Sequence, residues 1–403
     1  MTNLPQGWEV KTLSEIGEIV TGSTPSKSNL DFYGKDYPFF KPSDFEQGYF
    51  LENAGDNLSK LGFGKARQLP PKTILVVCID SLGKVALTKV IGSCNQQINA
   101  IIPHKNIISE YIYYYCISSK FQSILFSKAP QTTLAILNKT EFSKLEIIYP
   151  KDIKEQERIV GILDFAFSKI DENIKKAKEN LANIDELMQS ALQKAFNPLN
   201  DNTKENYQLP QSWEWKSLGD TSNYGKTSQV KPSQLKGNDW ILELEDIEKE
   251  SGVLLQKVLF QDRQSKSNKI KFNKGDILFG TLRPYLKKVI IADDNGACSS
   301  EIMPFSTGNS ITNHFIYYYL FANFLHDRIS SLTYGARMPR LGTKDGKSLQ
   351  IPLPPLQEQE QIAEHLDFVF EKAKALKELY TKELKDYEEL KQSLLDKAFK
   401  GEL

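Results

Sequence analysis

Cysteine is scarce in this chain of 403 residues, which has only Cys78, Cys94, Cys116 and Cys298. No two of them form a CxxC pair, and their spacing fits neither a zinc site nor a disulfide framework. We therefore expect buried free thiols in a reducing compartment. The N-terminal segment MTNLPQGWEV lacks the basic start and apolar run of a signal peptide, and no stretch reaches about 18 consecutive apolar residues. These absences favour a soluble, cytoplasmic protein without a membrane partner.

Catalytic and nucleotide-binding motifs are missing as well. The segment GFGKARQ at 62–68 does not have the spacing of a phosphate-binding P-loop, and G-x-G-x-x-G, H-E-x-x-H and G-x-S-x-G patterns do not occur. The segment NPLN at 197–200 is the nearest approach to the Asn/Asp-Pro-Pro-aromatic stretch of DNA methyltransferases, and it fits a helix stop better. The four histidines lie far apart in sequence. The sequence thus favours a binding protein over an enzyme.

The charge balance gives no sign of a nucleic-acid partner, because 51 Lys and Arg residues offset 51 Asp and Glu residues. Any basic surface must therefore be local. Hydrophobic residues make up 40% of the chain and aromatic residues 11%, which is enough to build folded cores. The length is typical of two or three domains.

An internal duplication dominates the sequence. Four pairs of segments recur in the same order at offsets of 203 to 205 residues: LPQGWE at 4–9 and LPQSWE at 209–214, YIYYY at 111–115 and FIYYY at 315–319, EQERI at 155–159 and EQEQI at 358–362, and LQKAF at 192–196 and LDKAF at 395–399. One such match could arise by chance, whereas an ordered series could not. The repeating unit is a whole domain rather than a short solenoid repeat.

Each copy divides into a globular part, over 1–150 and 205–352, and a helical part, over 151–197 and 353–403. Strands are predicted for TILVVCID and DILFGTL, and their hairpin partners for VALTKVI and KKVIIAD. Helices are predicted for EYIYYYCISSKFQSIL and HFIYYYLFANFLHDRI. The globular parts are therefore predicted to be homologous α+β domains.

The first helical part has an apolar seam that repeats every seven residues. Its two rows are Leu163, Ile170, Ala177, Ile184 and Ala191, and Phe167, Ile174, Leu181, Met188 and Ala195. The second helical part keeps the seam less strictly, because Lys377 and Lys391 stand where the first has Ile174 and Met188. Such seams need a partner helix, and the other copy supplies one. We expect two long antiparallel coiled-coil helices that hold two heads apart, with approximate two-fold symmetry within one chain.

The chain resembles the specificity subunits of type I restriction–modification systems over essentially its full length. The resemblance is carried by the two LP-x-x-W openings, by VTGSTPSKSNLDFYG with PFFKPSDF, and by GARMPRLGTKDGKSLQIPLPPLQEQEQI. The first copy departs from the last pattern, because EIIYPKDIKEQERI has no double proline.

The resemblance implies two target recognition domains, each reading one half of a bipartite site in double-stranded DNA, separated by two conserved helical spacers. Those helices would dock two methyltransferase (M) subunits, and restriction/translocase (R) subunits would join through the core that the methyltransferase and specificity subunits form. S-adenosylmethionine, ATP and Mg would belong to the partner subunits, so this subunit would be non-catalytic, with no cofactor or metal of its own. The alternatives are a coiled-coil scaffold or adaptor without DNA specificity, and a divergent DNA methyltransferase or nuclease.

The resemblance and the loop composition together give candidate DNA contacts. Arg, Gln and Asn side chains read base edges, whereas Lys, Ser and Thr side chains often bind phosphates. The candidates of the first domain are Lys27, Tyr33, Lys41, Ser43, Gln131 and Thr132. Those of the second domain are Lys226, Arg263, Lys266, Arg283, Tyr285, Arg337 and Arg340.

Overall fold

The computed structural model describes residues 4–129, 135–200, 207–263 and 265–403. The chain forms two compact units, Met1–Ala177 with Lys382–Leu403, and Lys178–Thr381. We call the globular parts the first head (residues 4–150) and the second head (residues 207–353). Each unit contains one head and a piece of both long helices. The division of the sequence into two globular and two helical segments remains a prediction. Within the described ranges, no helix is long and apolar enough to cross a membrane.

The first head is built on a mixed five-stranded sheet. Its strands, in spatial order, are Gly17–Thr21, Ile98–Pro103, Ile74–Val77, Val85–Thr88 and Phe50–Leu51, of which the last pair is parallel. A three-stranded sheet joins Asp56–Leu58, Tyr33–Phe40 and Ser93–Cys94. The helices are Leu13–Ile16, Lys60–Phe63, Ser109–Ile117, Ser119–Lys128 and Lys139–Ser143, with 3-10 turns at Leu30–Phe32 and Pro42–Gln47.

The second head repeats this plan with a four-stranded and a three-stranded sheet. A four-stranded sheet has the order Gln229–Val230, Lys269–Phe272, Gly296–Cys298 and Trp240–Leu242, and a three-stranded sheet the order Val289–Ile291, Ile277–Gly280 and Ile302–Phe305. Thr333–Tyr334 pairs with Arg340–Leu341. The helices are Leu218–Thr221, Phe260–Arg263, Asn313–Tyr319, Asn323–Leu332 and Thr343–Lys347, with 3-10 turns at Pro232–Gln234, Leu244–Asp246 and Pro284–Leu286. The predicted α+β class and the predicted hairpins are confirmed.

The repeated LP-x-x-W segment is a turn that leads into the first strand of each head. The amide of Trp8 donates to the carbonyl of Pro5 (3.1 Å), and that of Trp213 to Pro210 (2.9 Å). The strands that follow, Trp8–Thr12 and Glu214–Ser217, pair antiparallel with the last strands of their heads, Glu146–Pro150 and Gln350–Leu353. Each head is thus closed by its own ends, and a long helix begins directly after the closing strand.

The two long helices are Ile153–Phe196 and Leu356–Ala398. In the unit of the first head, Lys391 bonds to Asp171 (2.5 Å) and its Nζ lies 5.5 Å from the centre of the Phe167 ring. In the unit of the second head, Lys377 forms an ion pair with Asp185. From the first pair to the second, the residue number on the first helix rises from 171 to 185, while the residue number on the second helix falls from 391 to 377. The two helices therefore run antiparallel, as predicted. The two lysines that interrupt the seam therefore have carboxylate partners on the other helix.

Each head packs against the start of one long helix and the end of the other. The core of the first head includes Leu163 from the first helix, together with Leu395 and Phe399 from the second. The core of the second head includes Leu366 from the second helix, together with Leu192 and Phe196 from the first. The repeated K-A-F segment thus has a function in packing. Phe399 meets Tyr111 and Tyr115, and Phe196 meets Phe315 and Tyr319, in edge-to-face contacts.

The repeated E-Q-E segment places one buried glutamine at the start of each long helix. Gln156 donates from Nε2 to the carbonyl of Pro150 (2.9 Å) and accepts from the amide of Ile108 (2.9 Å). Gln359 does the same with Pro354 (2.8 Å) and Thr312 (3.0 Å). Both side chains are fully buried. Each glutamine ties the helix start to the closing strand and to the segment before the tyrosine-rich helix of the same head.

Replacing either glutamine with leucine should destabilise the unit that contains it. Gln156→Leu or Gln359→Leu leaves a backbone amide and a backbone carbonyl buried without partners, at a cost of about 1–3 kcal/mol per group. Urea unfolding followed by circular dichroism would measure this loss. The exposed neighbours Glu157 and Glu360 provide controls, because Glu157→Leu and Glu360→Leu should change the stability by no more than about 0.5 kcal/mol. Equal stabilities of the glutamine and glutamate variants would contradict the assigned role.

The buried His326 gives the second head a pH-dependent stability. Its Nε2 lies 2.6 Å from the carbonyl of Leu320, and its Nδ1 is buried without a hydrogen-bond partner in the described chain. Burial, helped by the nearby Lys287 ammonium, lowers the pKa of His326 from 6.5 to about 4. In the first head, Gln122 occupies the equivalent position and donates to the carbonyl of Cys116 (2.6 Å). Glutamine is therefore a natural replacement for this histidine.

The substitution His326→Gln should flatten the acid limb of the stability curve. Because the folded-state pKa is depressed, the unfolded chain binds a proton first as the pH falls below about 6.5, and stability is lost until about pH 4. The expected slope from this one group is about 1.4 kcal/mol per pH unit. The difference in unfolding free energy between wild type and variant, measured from pH 7.5 to 4.5, isolates it from the carboxylates. Parallel curves would show that His326 titrates normally in the folded protein.

Candidate nucleic-acid interface

Three arginines of the second head, Arg283, Arg337 and Arg340, lie on one edge. We call residues 281–288 and 333–341 the second edge. The amide of Arg283 donates to the carbonyl of Pro339 (2.7 Å), and the amide of Leu341 donates to the carbonyl of Thr281 (2.9 Å). The hairpin between Thr333–Tyr334 and Arg340–Leu341 is thereby fixed to the turn that follows the strand Ile277–Gly280.

The side chains of the second edge combine positive charge with exposed aromatic and apolar surface. Arg283 and Arg337 are exposed and Arg340 is half-buried. Beside them, Tyr285 is 49% exposed, Tyr334 60% and Met338 52%. Guanidinium groups can read guanine edges or bind phosphates, and exposed aromatic rings can pack on sugars and bases. The edge thus brings together four predicted contact residues that are up to 57 positions apart in sequence.

The buried Lys287 and the half-buried Lys288 fix the turn to the rest of the second head. The Nζ of Lys287 donates to the carbonyl of Phe321 (3.1 Å) and bonds to Asn323, and the Nζ of Lys288 donates to the carbonyl of Leu244 (2.6 Å). Burial lowers the pKa of Lys287. These lysines therefore hold the turn in place, while Arg283 of the same turn stays exposed.

Arg263, another predicted contact, is engaged within the protein. Its side chain is only 11% exposed, and Nη2 donates to both carboxylate oxygens of the fully buried Asp246 at 2.6 and 2.7 Å. Nη1 donates to Glu245 (2.9 Å). Burial disfavours the charged guanidinium, but the hydrogen bonds that it donates to Asp246 and Glu245 raise its pKa. A guanidinium held in this way is not presented to a base edge, so we assign Arg263 a structural role. Lys226 and Lys266 are exposed.

In the first head, the predicted contacts fall into three environments. Lys27 is exposed on a loop, and Ser43 is exposed on the 3-10 turn Pro42–Gln47. The Tyr33 hydroxyl donates to the carbonyl of Pro25 (2.8 Å), which fixes the loop that carries Lys27, and Lys41 forms an ion pair with Asp56. Gln131 and Thr132 lie outside the described residues. The DNA-binding role of these residues remains a prediction.

The first head has an edge equivalent to that of the second. We call residues 78–84 and 135–137 the first edge. The amide of Asp80 donates to the carbonyl of Ala135 (3.3 Å), and the amide of Leu137 donates to the carbonyl of Cys78 (2.9 Å). Asp80 is exposed at this edge. The composition of the sequence gave no reason to select Asp80. Aligning the two copies at an offset of 203 residues, however, pairs Asp80 with Arg283.

A second polar surface of the first head was also missed. The hydroxyl of Thr24 donates to Oε1 of Gln96 (2.5 Å), and Nη1 of Arg67 donates to the carbonyl of Thr21 (2.6 Å). The first contact joins the loop that carries Lys27 to the segment that follows Cys94, and the second joins Arg67 to the end of the strand Gly17–Thr21. Only the Arg, Gln and Thr residue types pointed to them in the sequence.

The metal-binding capacity of the described residues and the state of their thiols can be read from their side chains. Among these residues no cluster of three or more His, Cys, Asp or Glu side chains could hold a metal ion. The four cysteines are buried and free, as predicted. Burial raises the pKa of Cys78, Cys94 and Cys298 to about 12, and raises that of Cys116 as well, which makes these thiols poor nucleophiles.

Comparisons with known proteins agree with this architecture. The family model described as "Type I restriction modification DNA specificity domain" matches twice, at residues 5–183 and 210–385. The chain is similar to the type I restriction enzyme HindI specificity subunit of Haemophilus influenzae, with 39% identity over 42% of this chain and 38% of that protein. It is thus aligned with less than half of that relative. It is also similar to the EcoDI specificity subunit of Escherichia coli, with 23% identity over 99% of this chain and 89% of that protein.

Among solved structures, a chain from the type I R-M system shares the fold. It superposes with a TM-score of 0.79 at 19% identity and covers 100% of both chains. The two family matches each contain one head and at least part of the long helix that follows it, in agreement with the internal duplication. The chain therefore belongs to the family of type I restriction–modification DNA specificity domain proteins.

Proposed function

We propose that this chain is the DNA-recognition subunit of a type I restriction–modification complex, in which each head reads one half of a bipartite DNA site. The observation that carries the proposal is the pair of equivalent edges, which share a pattern of backbone hydrogen bonds but bear different side chains. The second edge carries Arg283, Arg337 and Arg340, whereas the first edge carries Asp80. Two equivalent surfaces with different chemistry suit two different DNA half-sites.

The long helices support a proposal for protein partners. Among the exposed apolar residues of these helices, one pair of phenylalanines and one pair of leucines stand at corresponding positions of the two copies, 203 residues apart. Phe165 is 71% exposed and Leu390 45% in one unit, and Phe368 is 59% exposed and Leu187 58% in the other. Equivalent apolar sites suit two copies of one partner. We therefore propose that two methyltransferase subunits dock on the helices, and that restriction/translocase subunits join through the resulting core.

The chemistry of the complex is proposed to lie on its partners. S-adenosylmethionine, ATP and Mg would be held by the methyltransferase and translocase subunits, and this chain would be non-catalytic. A target adenine must leave the base stack to be methylated, so the partner would supply the pocket while the heads hold the flanking bases. The proposed place of action is the cytoplasm, where the DNA is.

Co-expression with the methyltransferase subunit should produce N6-adenine methylation within a split DNA motif. Long-read sequencing of the host DNA would reveal two short specified blocks separated by a spacer of fixed length. The chain expressed alone, and the methyltransferase subunit expressed alone, are the controls and should give no motif. A continuous motif would contradict the two-headed proposal. Methylation by this chain alone would support the enzyme alternative.

Arg337 offers a residue-level test in the second half-site. Arg337→Ala in the assembled complex should cost about 1–3 kcal/mol of binding free energy and relax one position of the motif. Arg337→Lys is the matched control, because it keeps the charge but loses the planar pair of donors. If Arg337 reads a base, lysine should not restore discrimination. If it binds a phosphate, lysine should restore affinity, and the motif should be the same in all three proteins. Fluorescence anisotropy across a salt series, combined with motif sequencing, separates these outcomes.

A further inference from the structure

The turn at the centre of each edge has an unusual backbone conformation. Asp80 has a φ of 69° and Arg283 a φ of 49°. These two residues are offset by 203 positions and occupy the same place after the equivalent strands Ile74–Val77 and Ile277–Gly280. Positive φ is unfavourable for residues with a side chain, and such strain persists where the surrounding structure imposes it.

The surrounding hydrogen bonds impose this conformation in both heads. The amides of Asp80 and Arg283 donate to Ala135 and Pro339, and the next bond along each edge joins Leu137 to Cys78 and Leu341 to Thr281. The bases of the turns are also matched, because Val77 donates to the carbonyl of Lys84 and Gly280 to that of Lys288, both at 2.9 Å. The backbone bonds that flank the turn and hold Asp80 and Arg283 thus recur in both copies, whereas the remainder of the turn is one residue longer in the second head.

The residues at equivalent positive-φ positions differ in an informative way. Lys72 corresponds to Gly275, and Gly83 corresponds to Lys287, so in each of these pairs one copy has glycine. Glycine is the residue that such a conformation favours. At the position shared by Asp80 and Arg283, neither copy has glycine. Both copies instead present an exposed charged side chain, and the two charges are opposite in sign.

The chemistry of a carboxylate narrows what Asp80 can bind at a DNA surface. A carboxylate is repelled by phosphates and by the acceptor oxygens of guanine and thymine, whereas it accepts a hydrogen bond from an exocyclic amino group. Cytosine N4 and adenine N6 are the amino groups in the major groove. Arginine has the opposite preference, because it donates to the O6 and N7 of guanine. The same backbone position can therefore select different bases in the two heads.

We propose that Asp80 and Arg283 are equivalent specificity-determining residues, Asp80 for an amino-bearing base in the first half-site and Arg283 for a guanine in the second. This proposal rests on the proposed function of the chain as a DNA-recognition subunit. It adds Asp80, an acidic residue, to a set of candidate contacts made up of basic, aromatic and uncharged polar residues. It also predicts which half-site each residue controls.

The test uses the assembled complex and reads the methylated motif. Asp80→Asn keeps the size of the side chain, suits a positive φ and replaces two acceptor oxygens by one acceptor and one donor. We expect it to relax or change one position of the first half-site, with discrimination reduced about 5- to 150-fold and the second half-site unchanged. Asp80→Gly, which relieves the strain but removes the side chain, should relax the same position. Arg283→Lys should relax a guanine in the second half-site alone.

Lys72 provides the matched control, because it is exposed and has a positive φ of 64° in the first head. Lys72→Gly introduces the residue found at the equivalent Gly275 and should leave both half-sites unchanged. If the wild-type complex gives a split motif and Asp80→Asn and Asp80→Gly leave the first half-site unaltered, the proposal is wrong while the proposed function stands. If the Arg283→Lys complex keeps both the motif and the DNA affinity of the wild type, Arg283 binds a phosphate and its assignment to guanine fails. Absence of a split motif in the wild type would overturn the proposed function itself.

Discussion

The core of each head depends on the end of the long helix that begins at the other head. A helix that begins at the closing strand of one head ends with a phenylalanine in the core of the other, so Phe196 packs with Phe315 and Phe399 packs with Tyr111. Removing such a side chain from a core costs about 3–5 kcal/mol, which is comparable to a large part of the stability of a typical domain. Neither head therefore has a complete core without the helix that comes from the other copy. This constraint explains why the K-A-F segment recurs at the ends of both long helices.

Hydrogen bonds also define how each long helix aligns with the heads that it packs against. At the end of the first helix, Gln189 accepts from the amide of Asn323 (3.1 Å), and at the end of the second, Gln392 accepts from the amide of Ser119 (3.1 Å). These glutamines satisfy an amide at the beginning of the second helix in each pair of head helices. At the other ends, Tyr114 donates to Asp164 (2.6 Å) and Tyr318 donates to Asp367. Apolar packing gives each interface most of its free energy, whereas these directional bonds define one alignment of helix and head.

Local patterns predicted the fold well, but they did not predict individual side-chain environments. The seven-residue seam predicted the long helices because Leu163, Ile170 and Ile184 recur on one helix face, and these residues are buried. In the repeated LP-x-x-W segments, Trp213 is buried, whereas Leu4 is 38% exposed, a difference that the shared pattern does not predict. Arg263 looked like a DNA contact because polar residues surround it in sequence. Its ion pair with Asp246 joins residues 17 positions apart across the fold, and no periodic pattern signals such a pair.

The edges were predictable only in part for a related reason. Arg283 and Arg340 attract attention as arginines in turns, but their proximity comes from the bonds between the turn and the hairpin, which composition does not encode. Asp80 becomes visible only when backbone conformation is compared between the two copies. Exposed side chains such as these contribute little to stability, since surface substitutions usually change it by less than about 0.5 kcal/mol. The scaffold therefore keeps its turn through backbone bonds, and the residue on the turn is free to differ. A duplicated chain built in this way can acquire two binding specificities without altering either core.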